Sequence, residues 1–294
     1  MKTAIIVLNY NDSKNTVNFV NKVVKYDILE KIIVVDNLSS KENEFEELKS
    51  LECEKVDIIR TDKNGGYAYG NNCGLRYIDE KYDDIEYVII SNPDVGIKEE
   101  DIITAIKHLE KEENVAICSP RMHFVSGPAR RSAWKERKFL IDVANSTRLT
   151  ELILFPIFKK GEYNKNEYEK EILDVDNVAG SFFIAKRKIF KEIGYFDENT
   201  FLFYEEDILG KKIRNAGYKL QLLNNIHFMH YDSQTIGKLM NMFKKMDILF
   251  DSKIYYHKTY NNVGNVKLFI LKLLRYIRKF ELIFELPILK VFKK

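Results

Sequence analysis

The sequence has few cysteines and no long uncharged apolar run, and both absences exclude classes of protein. Cys53, Cys73 and Cys118 lack the spacing of a metal site, and an odd number fits reduced thiols better than a disulfide framework. No apolar stretch approaches the roughly 18 residues that span a bilayer. The first one, Ala4–Leu8, is too short for a signal peptide. We therefore expect a cytoplasmic protein.

Positive charge is in small excess, since the formal net charge is +3 over 294 residues. A hydrophobic fraction of 45% and a charged fraction of 31% are typical of a soluble globular protein. Residues 265–294 contain eight Lys or Arg and two Glu, a net charge of +6, so the other 264 residues sum to −3. We expect no nucleic-acid partner.

Strand and helix patterns alternate along the first 120 residues. Short continuous apolar runs are typical of strands buried on both faces, and segments with helical spacing of apolar residues separate them. The predicted strands are Ala4–Leu8, Ile32–Val35, Val56–Ile59, Tyr87–Ser91 and Val115–Ser119. The alternation predicts an α/β fold with a mostly parallel central sheet flanked by helices.

The pattern changes after Pro120, and residues 121–171 show no regular periodicity. A strand is predicted over Val175–Ala185 and a helix over Tyr204–Asn215. Residues 235–260 and 266–284 are predicted to be helical. We therefore expect a C-terminal helical extension after the α/β part.

Polar residues follow four consecutive predicted strands. They are Asn9 to Asn11, Asp36 with Asn37, the Gly-rich loop Asn64–Gly74, and Asn92-Pro93-Asp94. In open α/β sheets, ligands bind at the carboxyl ends of the strands. The alternative is that Asn and Asp only end strands and start turns. The Gly loop matches neither a dinucleotide fingerprint nor a P-loop, and it either lines a nucleotide or sugar pocket or caps a helix at Asn71 or Asn72.

Acidic residues give two further hypotheses. Asp94 is a possible ligand for Mg²⁺ or Mn²⁺, although Asn-Pro-Asp is also a turn signal. Three acidic residues stand where a helix begins: Glu205, Glu206 and Asp207. Either the helix dipole stabilises their charges there, or they supply a general base. His230, about twenty residues on, is a possible metal ligand.

The ordered set of motifs resembles the family 2 inverting glycosyltransferases, which have the GT-A fold, and is most similar to a bacterial rhamnosyltransferase branch. The resemblance covers about residues 1–235. It is carried by Asn9-Tyr10-Asn11, Val34-Val35-Asp36-Asn37, the loop Asn64–Gly74, Ser91-Asn92-Pro93-Asp94, Ala179-Gly180-Ser181, Gly194–Glu198, Phe203–Asp207, Ala216-Gly217-Tyr218, and His230 with Ser233.

The resemblance implies a role for each matching residue. The residues that would contact or shape the nucleotide-sugar site are Asn9, Asn11, Asp36, Asn64, Gly65, Gly66, Asn71, Asn72, Asp94 and Gly180. Asp94 and His230 would hold Mn²⁺ or Mg²⁺. Asp207 would be the catalytic base, with Glu206 beside it. Two departures stand out, because Asn92 replaces one carboxylate of the usual D-x-D motif and Leu209 replaces a second Asp.

The expected function is transfer of a sugar from a nucleoside diphosphate sugar (dTDP-rhamnose or a UDP-sugar) to a hydroxyl of a lipid-linked cell-surface glycan. A nucleotidyltransferase and a non-catalytic nucleotide-sugar-binding or scaffold protein are the alternatives. The expected domains are a GT-A domain over residues 1–235, with a nucleotide-sugar half (1–120) and an acceptor half (121–235), followed by a helical extension over 236–294. Within the acceptor half, Arg130, Arg131 and Trp134 suit sugar rings or a lipid pyrophosphate.

The C-terminal segment suggests a membrane contact. Lys267, Lys272, Arg275, Arg278 and Lys279 fall on one helical face, and apolar residues fill the remainder. Such a helix suits the inner face of an anionic membrane. The alternative is packing onto the catalytic domain, or onto a second copy in a homo-oligomer.

Overall fold

The structure is a computed structural model that describes residues 2–129, 131–154, 157, 161–231 and 241–291. Strands and helices alternate in the first half. They are β1 (Thr3–Asn9), α1 (Ser13–Val23), β2 (Leu29–Asp36), α2 (Glu44–Lys49), β3 (Val56–Arg60), α3 (Gly66–Lys81), β4 (Tyr87–Ser91), β5 (Val95–Gly96), α4 (Glu99–Lys111) and β6 (Val115–Phe124).

Shorter elements follow, and two longer helices come last among the described residues. In order they are β7 (Gly127–Pro128), β8 (Ala133–Trp134), α5 (Phe139–Ala144), α6 (Arg148–Ile153), α7 (Lys165–Tyr168), β9 (Ile172–Val175), β10 (Asn177–Val178), β11 (Phe182–Lys186), α8 (Arg187–Glu192), α9 (Glu205–Asn215), β12 (Lys219–His230), α10 (Met242–Thr259) and α11 (Asn265–Val291).

A mixed sheet forms the centre of the fold. Its strand order is β3-β2-β1-β4-β11-β6-β12-β5, with β7 beside β6 and β9 beside β12. The neighbours β1 to β4 pair in parallel, as do β6 and β12, whereas β11 runs antiparallel between β4 and β6. The predicted α/β class with a mostly parallel sheet is confirmed.

The strands are apolar throughout because both faces of the sheet are covered. Ile5 and Val7 of β1 pack on one face, and Ala4 and Ile6 pack on the other. The alternation follows from the two-residue repeat of a strand. The sheet core thus holds the carboxyl ends of β1, β2 and β4 in fixed register.

The single strand predicted over Val175–Ala185 is wrong. The chain forms β9, which pairs with β12, then the short β10, and then β11, which inserts between β4 and β6. The break leaves Ala179–Ser181 as a turn, so Gly180 lies at the edge of the sheet instead of within a strand.

Helices α10 and α11 pack on each other and on the rest of the chain. Phe250 of α10 contacts Leu271 and Leu274 of α11, and Tyr256 packs against Tyr204 and Ile208. The first residues of the helix predicted from 235, and Ser233 of the resemblance, lie outside the described residues, as does Arg130. Within the described ranges, no helix combines the length and the apolarity needed to cross a membrane.

The basic face predicted on α11 is largely neutralised by protein carboxylates. Arg275 pairs with Asp251, Lys279 with Asp247 at 2.6 Å, and Arg278 with Glu281 and Glu285 at 3.0 and 2.6 Å. The expected basic surface is therefore wrong for these three cations. The outward side of α11 is apolar instead, with exposed Val266, Phe269, Ile270, Leu273, Tyr276, Phe280, Ile283 and Phe284.

Candidate functional site

Asp36 lies at the end of β2 and is wholly buried among donors. Its carboxylate accepts from Asn9 Nδ2 at 3.2 Å and from the Ser39 backbone N–H at 3.2 Å, and pairs with Arg60 Nε at 3.2 Å. Asn9 lies opposite Asp36 because β1 and β2 pair in parallel at that register. The two residues thus form one polar unit at the end of the sheet.

Asn11 orders the loop after β2. Its backbone adopts a left-handed conformation with φ of 56°, which asparagine tolerates better than most residues. Its Oδ1 accepts from the backbone N–H groups of Ser40 and Lys41 at 2.8 and 2.9 Å. Asn11 therefore shapes this polar pocket through the loop.

The Gly loop is pressed against the segment that precedes α9. Gly66 has φ of 88°, and a Cβ placed there would lie 1.9 Å from the carbonyl oxygen of Phe201. The next N–H, of Tyr67, donates to the same carbonyl at 3.1 Å. Asn37 Nδ2 donates to Asn64 Oδ1 at 3.1 Å and to the Gly66 carbonyl at 3.0 Å. Only glycine permits this close backbone approach.

Asn71 and Asn72 have different environments on α3. Asn71 is wholly buried, its Nδ2 donates to the Tyr67 carbonyl at 3.0 Å, and its Oδ1 has no hydrogen-bond partner among the described residues. Asn72 donates to the Phe196 carbonyl at 3.0 Å and accepts from the Phe196 N–H at 3.1 Å. The Asn72 side chain thus connects α3 to the backbone of Phe196 and has a structural role.

Gly180 joins the Gly loop to the acidic residues. The Tyr67 hydroxyl donates to the Gly180 carbonyl at 2.5 Å, and the Gly180 N–H donates to Glu206 Oε1 at 3.3 Å. A Cβ at Gly180 would lie 2.8 Å from Glu206 Oε1. Burial, followed by the charges of Glu206 and Glu205, raises the pKa of Tyr67 well above its usual value. Tyr67 stays a hydrogen-bond donor at neutral pH.

The three carboxylates begin α9 after two strained residues. Phe203 and Tyr204 have φ of 71° and 70°, a conformation that is rare for bulky residues and clusters at functional sites. Burial and the neighbouring Glu206 raise the pKa of Glu205 well above its usual range. Glu206 is half-buried, and burial and Asp207 raise its pKa as well.

Asp207 is buried and held by residues of the segment that lacked a sequence pattern. Its Oδ1 accepts from Trp134 Nε1 at 2.8 Å and from Arg137 Nε at 3.0 Å, and Asn177 lies 3.4 Å away. Its Oδ2 accepts from Arg137 Nε at 3.0 Å. Burial raises the pKa of Asp207, against the opposing charge of Arg137 and the Trp134 hydrogen bond.

Sequence reasoning missed Arg137 and Tyr67. Arg137 lies in a charged stretch without periodicity, and nothing local marks it out from Arg131 or Lys135. These three cations line a cleft whose wall also includes Glu162, here named the basic cleft, and Arg137 connects it to Asp207. Only the fold shows which of them meets the carboxylate.

Asp94 and His230 are brought together by the antiparallel pairing of β5 with β12. Asp94 Oδ1 lies 3.5 Å from His230 Nε2. Neighbouring ligands of an octahedral Mg²⁺ with bonds of about 2.1 Å are about 3 Å apart. The two donors therefore fit neighbouring positions of one ion. No group of three metal-ligating side chains occurs within the described part of the chain.

These features are joined by a continuous series of backbone and side-chain contacts. The Asn37 N–H donates to the Asn9 carbonyl at 2.9 Å, and Asn37 reaches Gly66, which adjoins Tyr67 and thus Gly180. The Asn92 N–H donates to the Ser181 carbonyl at 2.8 Å, which leads to Asp94 and His230. The structure thus assembles all four strand ends and the acidic helix start at one edge of the sheet.

Comparison with known proteins gives a consistent set of relatives. The family described as Glycosyl transferase family 2 matches residues 4–194. The low-salt glycan biosynthesis hexosyltransferase Agl10 of Haloferax volcanii is 31% identical over 207 residues, which are 69% of this chain and 58% of that protein. Rhamnosyltransferase WbbL of Escherichia coli is 27% identical over 179 residues, covering 56% of this chain and 61% of that protein.

Two further matches have lower sequence identity. A Mycobacterium tuberculosis N-acetylglucosaminyl-diphospho-decaprenol L-rhamnosyltransferase is 21% identical over 193 residues, with 62% of this chain and 61% of that protein covered. The crystal structure of GalNAc-T7 with UDP, GalNAc and Mn²⁺ superposes with a TM-score of 0.61 at 14% identity, covering 79% of this chain and 44% of that one. The chain spans about three fifths of the length of the curated relatives it matches.

Proposed function

The chain belongs to glycosyl transferase family 2, and from that membership we propose that it transfers a hexosyl group from a nucleoside diphosphate sugar to a hydroxyl of a growing glycan, with inversion of the anomeric carbon. The observation that carries the proposal is the continuous series of contacts from Asn9 and Asp36 through Gly66 and Gly180 to Asp94. The proposal is supported because this series joins the Asn9–Asp36 unit, the Asp94–His230 pair and the carboxylates that begin α9 at one sheet edge, where ligands of such sheets bind.

The donor is placed across the strand ends. The buried unit of Asp36 and Asn9 would hold the loop after β2 in place beside the nucleoside. The Gly65–Gly66 loop, packed against Phe201, would shape the nucleotide pocket. Asp94 and His230 would hold Mn²⁺ or Mg²⁺ next to the diphosphate, and the ion would neutralise charge that develops on the leaving group. The donor is a dTDP- or UDP-linked sugar, and the presence of UDP and Mn²⁺ in the GalNAc-T7 structure supports this choice of ligands.

Asp207 is proposed as the base, with Glu206 as the competing candidate. Oδ1 of Asp207 already has its donors, whereas Oδ2 accepts only from Arg137 among the described residues and keeps a free lone pair. The base takes the proton of the acceptor hydroxyl as that oxygen bonds to the anomeric carbon, and the bond to the diphosphate oxygen breaks. The basic cleft lies beside Asp207 and would bind an acceptor that carries phosphate, such as a lipid-linked glycan.

A nucleotide-sugar screen tests the proposed activity. The full chain is incubated with dTDP-, UDP- and GDP-sugars and Mn²⁺, and both the melting temperature and the release of nucleoside diphosphate are measured. We expect one donor class to raise the melting temperature and to be turned over. A nucleotidyltransferase would release pyrophosphate from a nucleoside triphosphate, and a scaffold protein would bind the nucleotide sugar without turnover; either result would overturn the proposal.

We also propose that the outward apolar side of α11 rests on a lipid surface, in continuity with α6. Glu281 of α11 accepts from the backbone N–H groups of Arg148 and Leu149 at 2.9 and 3.1 Å, which seats the start of α6 against α11. Helix α6 adds the exposed Leu149, Leu152 and Ile153 to the patch. A long helix with Phe and Leu outward and Lys272 at its flank is typical of interfacial binding. The cytoplasmic location stays a prediction.

Vesicle flotation tests the membrane contact. The full chain should float with phospholipid vesicles, and Phe269→Glu with Phe280→Glu should abolish flotation because two charges would enter the apolar layer. Asn18→Glu with Asn21→Glu, on exposed positions of α1, adds the same charge elsewhere and should leave flotation intact. If the unmodified chain does not float but forms a dimer that the Phe variants dissociate, a second copy covers this surface and the lipid proposal is wrong.

A further inference from the structure

A buried polar cluster connects α10 to the proposed base. Asp142 of α5 is wholly buried and accepts from Tyr204 Oη at 2.7 Å, from His257 Nε2 at 2.8 Å and from Arg137 Nη1 at 3.4 Å. Arg137 uses its Nε on Asp207, at 3.0 Å from both carboxylate oxygens. A side-chain path therefore runs from His257 through Asp142 and Arg137 to Asp207.

The hydrogen-bond directions along this path are set by its far end. Asn261 Nδ2 lies 3.1 Å from His257 Nδ1 and donates to the Arg137 carbonyl at 3.2 Å. An amide nitrogen only donates, so Nδ1 of His257 accepts and its Nε2–H is directed to Asp142. Asn261, two residues after the end of α10, thereby fixes the His257 ring and the backbone of Arg137 as well.

Lys253 adds a second buried group of α10 to the cluster. Its Nζ donates to Ser146 Oγ at 2.9 Å and to the Asp142 carbonyl at 3.4 Å. Burial lowers the pKa of Lys253 to about 8, against the attraction of Asp142. Burial alone would raise the pKa of Asp142, but the His257 hydrogen bond and the charges of Lys253 and Arg137 outweigh it, so the pKa lies below its ordinary value.

An ionised buried carboxylate is stable only while its partners are in place. Removing His257 would leave Asp142 with fewer donors, and Arg137 would be drawn toward it. Every such movement of Arg137 changes the two contacts that orient Asp207. Tyr204, which also bonds to Asp142, immediately precedes α9 and the acidic residues, so the same cluster holds the start of that helix.

We propose that His257 of α10 is a positioning residue for the transfer reaction, acting through Asp142 and Arg137 on Asp207. The inference rests on the proposed function. It extends the catalytic unit from α9 to α10, and both helices lie beyond residues 4–194, the part of the chain that matches the family. Helix α10 is then part of the active-site framework as well as a support for α11.

The test compares His257→Phe, His257→Gln and Tyr255→Phe in the full chain. His257→Phe removes the donor to Asp142 and should lower kcat by about 10- to 100-fold, the scale of a small misplacement in an active site. The KM for the donor should change by less than about twofold, because the nucleotide surface is untouched. His257→Gln can place an amide donor near the position of Nε2 and should recover most of kcat.

Tyr255→Phe is the matched control. Tyr255 lies on the same helix, and its hydroxyl donates to Asp197 Oδ2 at 2.7 Å. This hydrogen bond is separate from the path between His257 and Asp207. It should lower the melting temperature without lowering kcat. An unchanged kcat in folded His257→Phe, or an equal loss in Tyr255→Phe, overturns the inference.

Two further outcomes are separated by design. If His257→Phe does not fold, Asn261→Ala, which leaves Asp142 paired, should still lower kcat, and an unchanged kcat there counts against the path. If the unmodified chain transfers no sugar from any donor, the proposed function fails rather than the positioning role. If it transfers sugar and the His257 variants match it, only the positioning role fails.

Discussion

Asp207→Asn should lower kcat by about two to four powers of ten, the usual contribution of a positioned base. The amide cannot take the proton of the acceptor hydroxyl, and the Asn side chain has nearly the same size as the Asp side chain. Donor affinity should stay within about twofold, since the proposed nucleotide site lies at the strand ends and not on α9. Single-turnover transfer and nucleotide-sugar binding are the two measurements.

Trp134→Phe is the control for Asp207→Asn. It removes one donor to the same carboxylate and keeps the carboxylate itself, so its loss of kcat should be much smaller. Because burial raises the pKa of Asp207, kcat should fall as the pH drops through a value above the ordinary range of an aspartate. That acid limb should vanish in Asp207→Asn. If Asp207→Asn keeps near-normal turnover and Glu206→Gln loses it, Glu206 is the base.

Removal of divalent metal should abolish transfer, and Mn²⁺ or Mg²⁺ should restore it. The physical reason is that breaking the bond to the anomeric carbon adds one negative charge to the leaving diphosphate, which an ion held by Asp94 and His230 would neutralise. The same prediction has a readout without turnover: Mn²⁺ should raise the melting temperature of the nucleoside diphosphate complex, and Asp94→Asn should lose this increase.

The control for Asp94→Asn is Asp101→Asn, because Asp101 is a half-buried carboxylate on α4. This variant should leave the metal response intact. Full activity of the unmodified chain in EDTA would contradict the metal role. This test is sharp because Asn92 replaces one carboxylate of the usual D-x-D motif, which leaves Asp94 as the carboxylate of that motif.

Local patterns in the sequence predict the sheet and most of its polar edge. The strands are apolar runs because both faces are buried, and parallel pairing then puts Asn9 opposite Asp36 without further information. The family resemblance predicts that Asp94 and His230 share a metal ion. In the structure, the pairing of β5 with β12 brings Asp94 Oδ1 to 3.5 Å from His230 Nε2.

Long-range packing accounts for what the sequence does not predict. The break at Gly180 arises because β11 pairs with β4 and β6 while β9 pairs with β12, which no local pattern encodes. Two partners of Asp207, Trp134 and Arg137, come from β8 and the segment after it. One partner of Asp142, His257, comes from α10, 115 residues away in the chain. Helical spacing groups Arg275 and Lys279 correctly on one face, but only the acids of α10 show that this face points inward.

The most direct test of the proposed function is the stereochemistry of the transferred sugar. The full chain is incubated with Mn²⁺, the donor found by the screen and a phosphate-containing glycan acceptor, and the anomeric configuration of donor and product is compared by NMR. Inversion in the unmodified chain, with no product from Asp207→Asn on the same timescale, is the predicted result. A product that retains the donor configuration, or nucleoside diphosphate released without any glycoside formed, would contradict it.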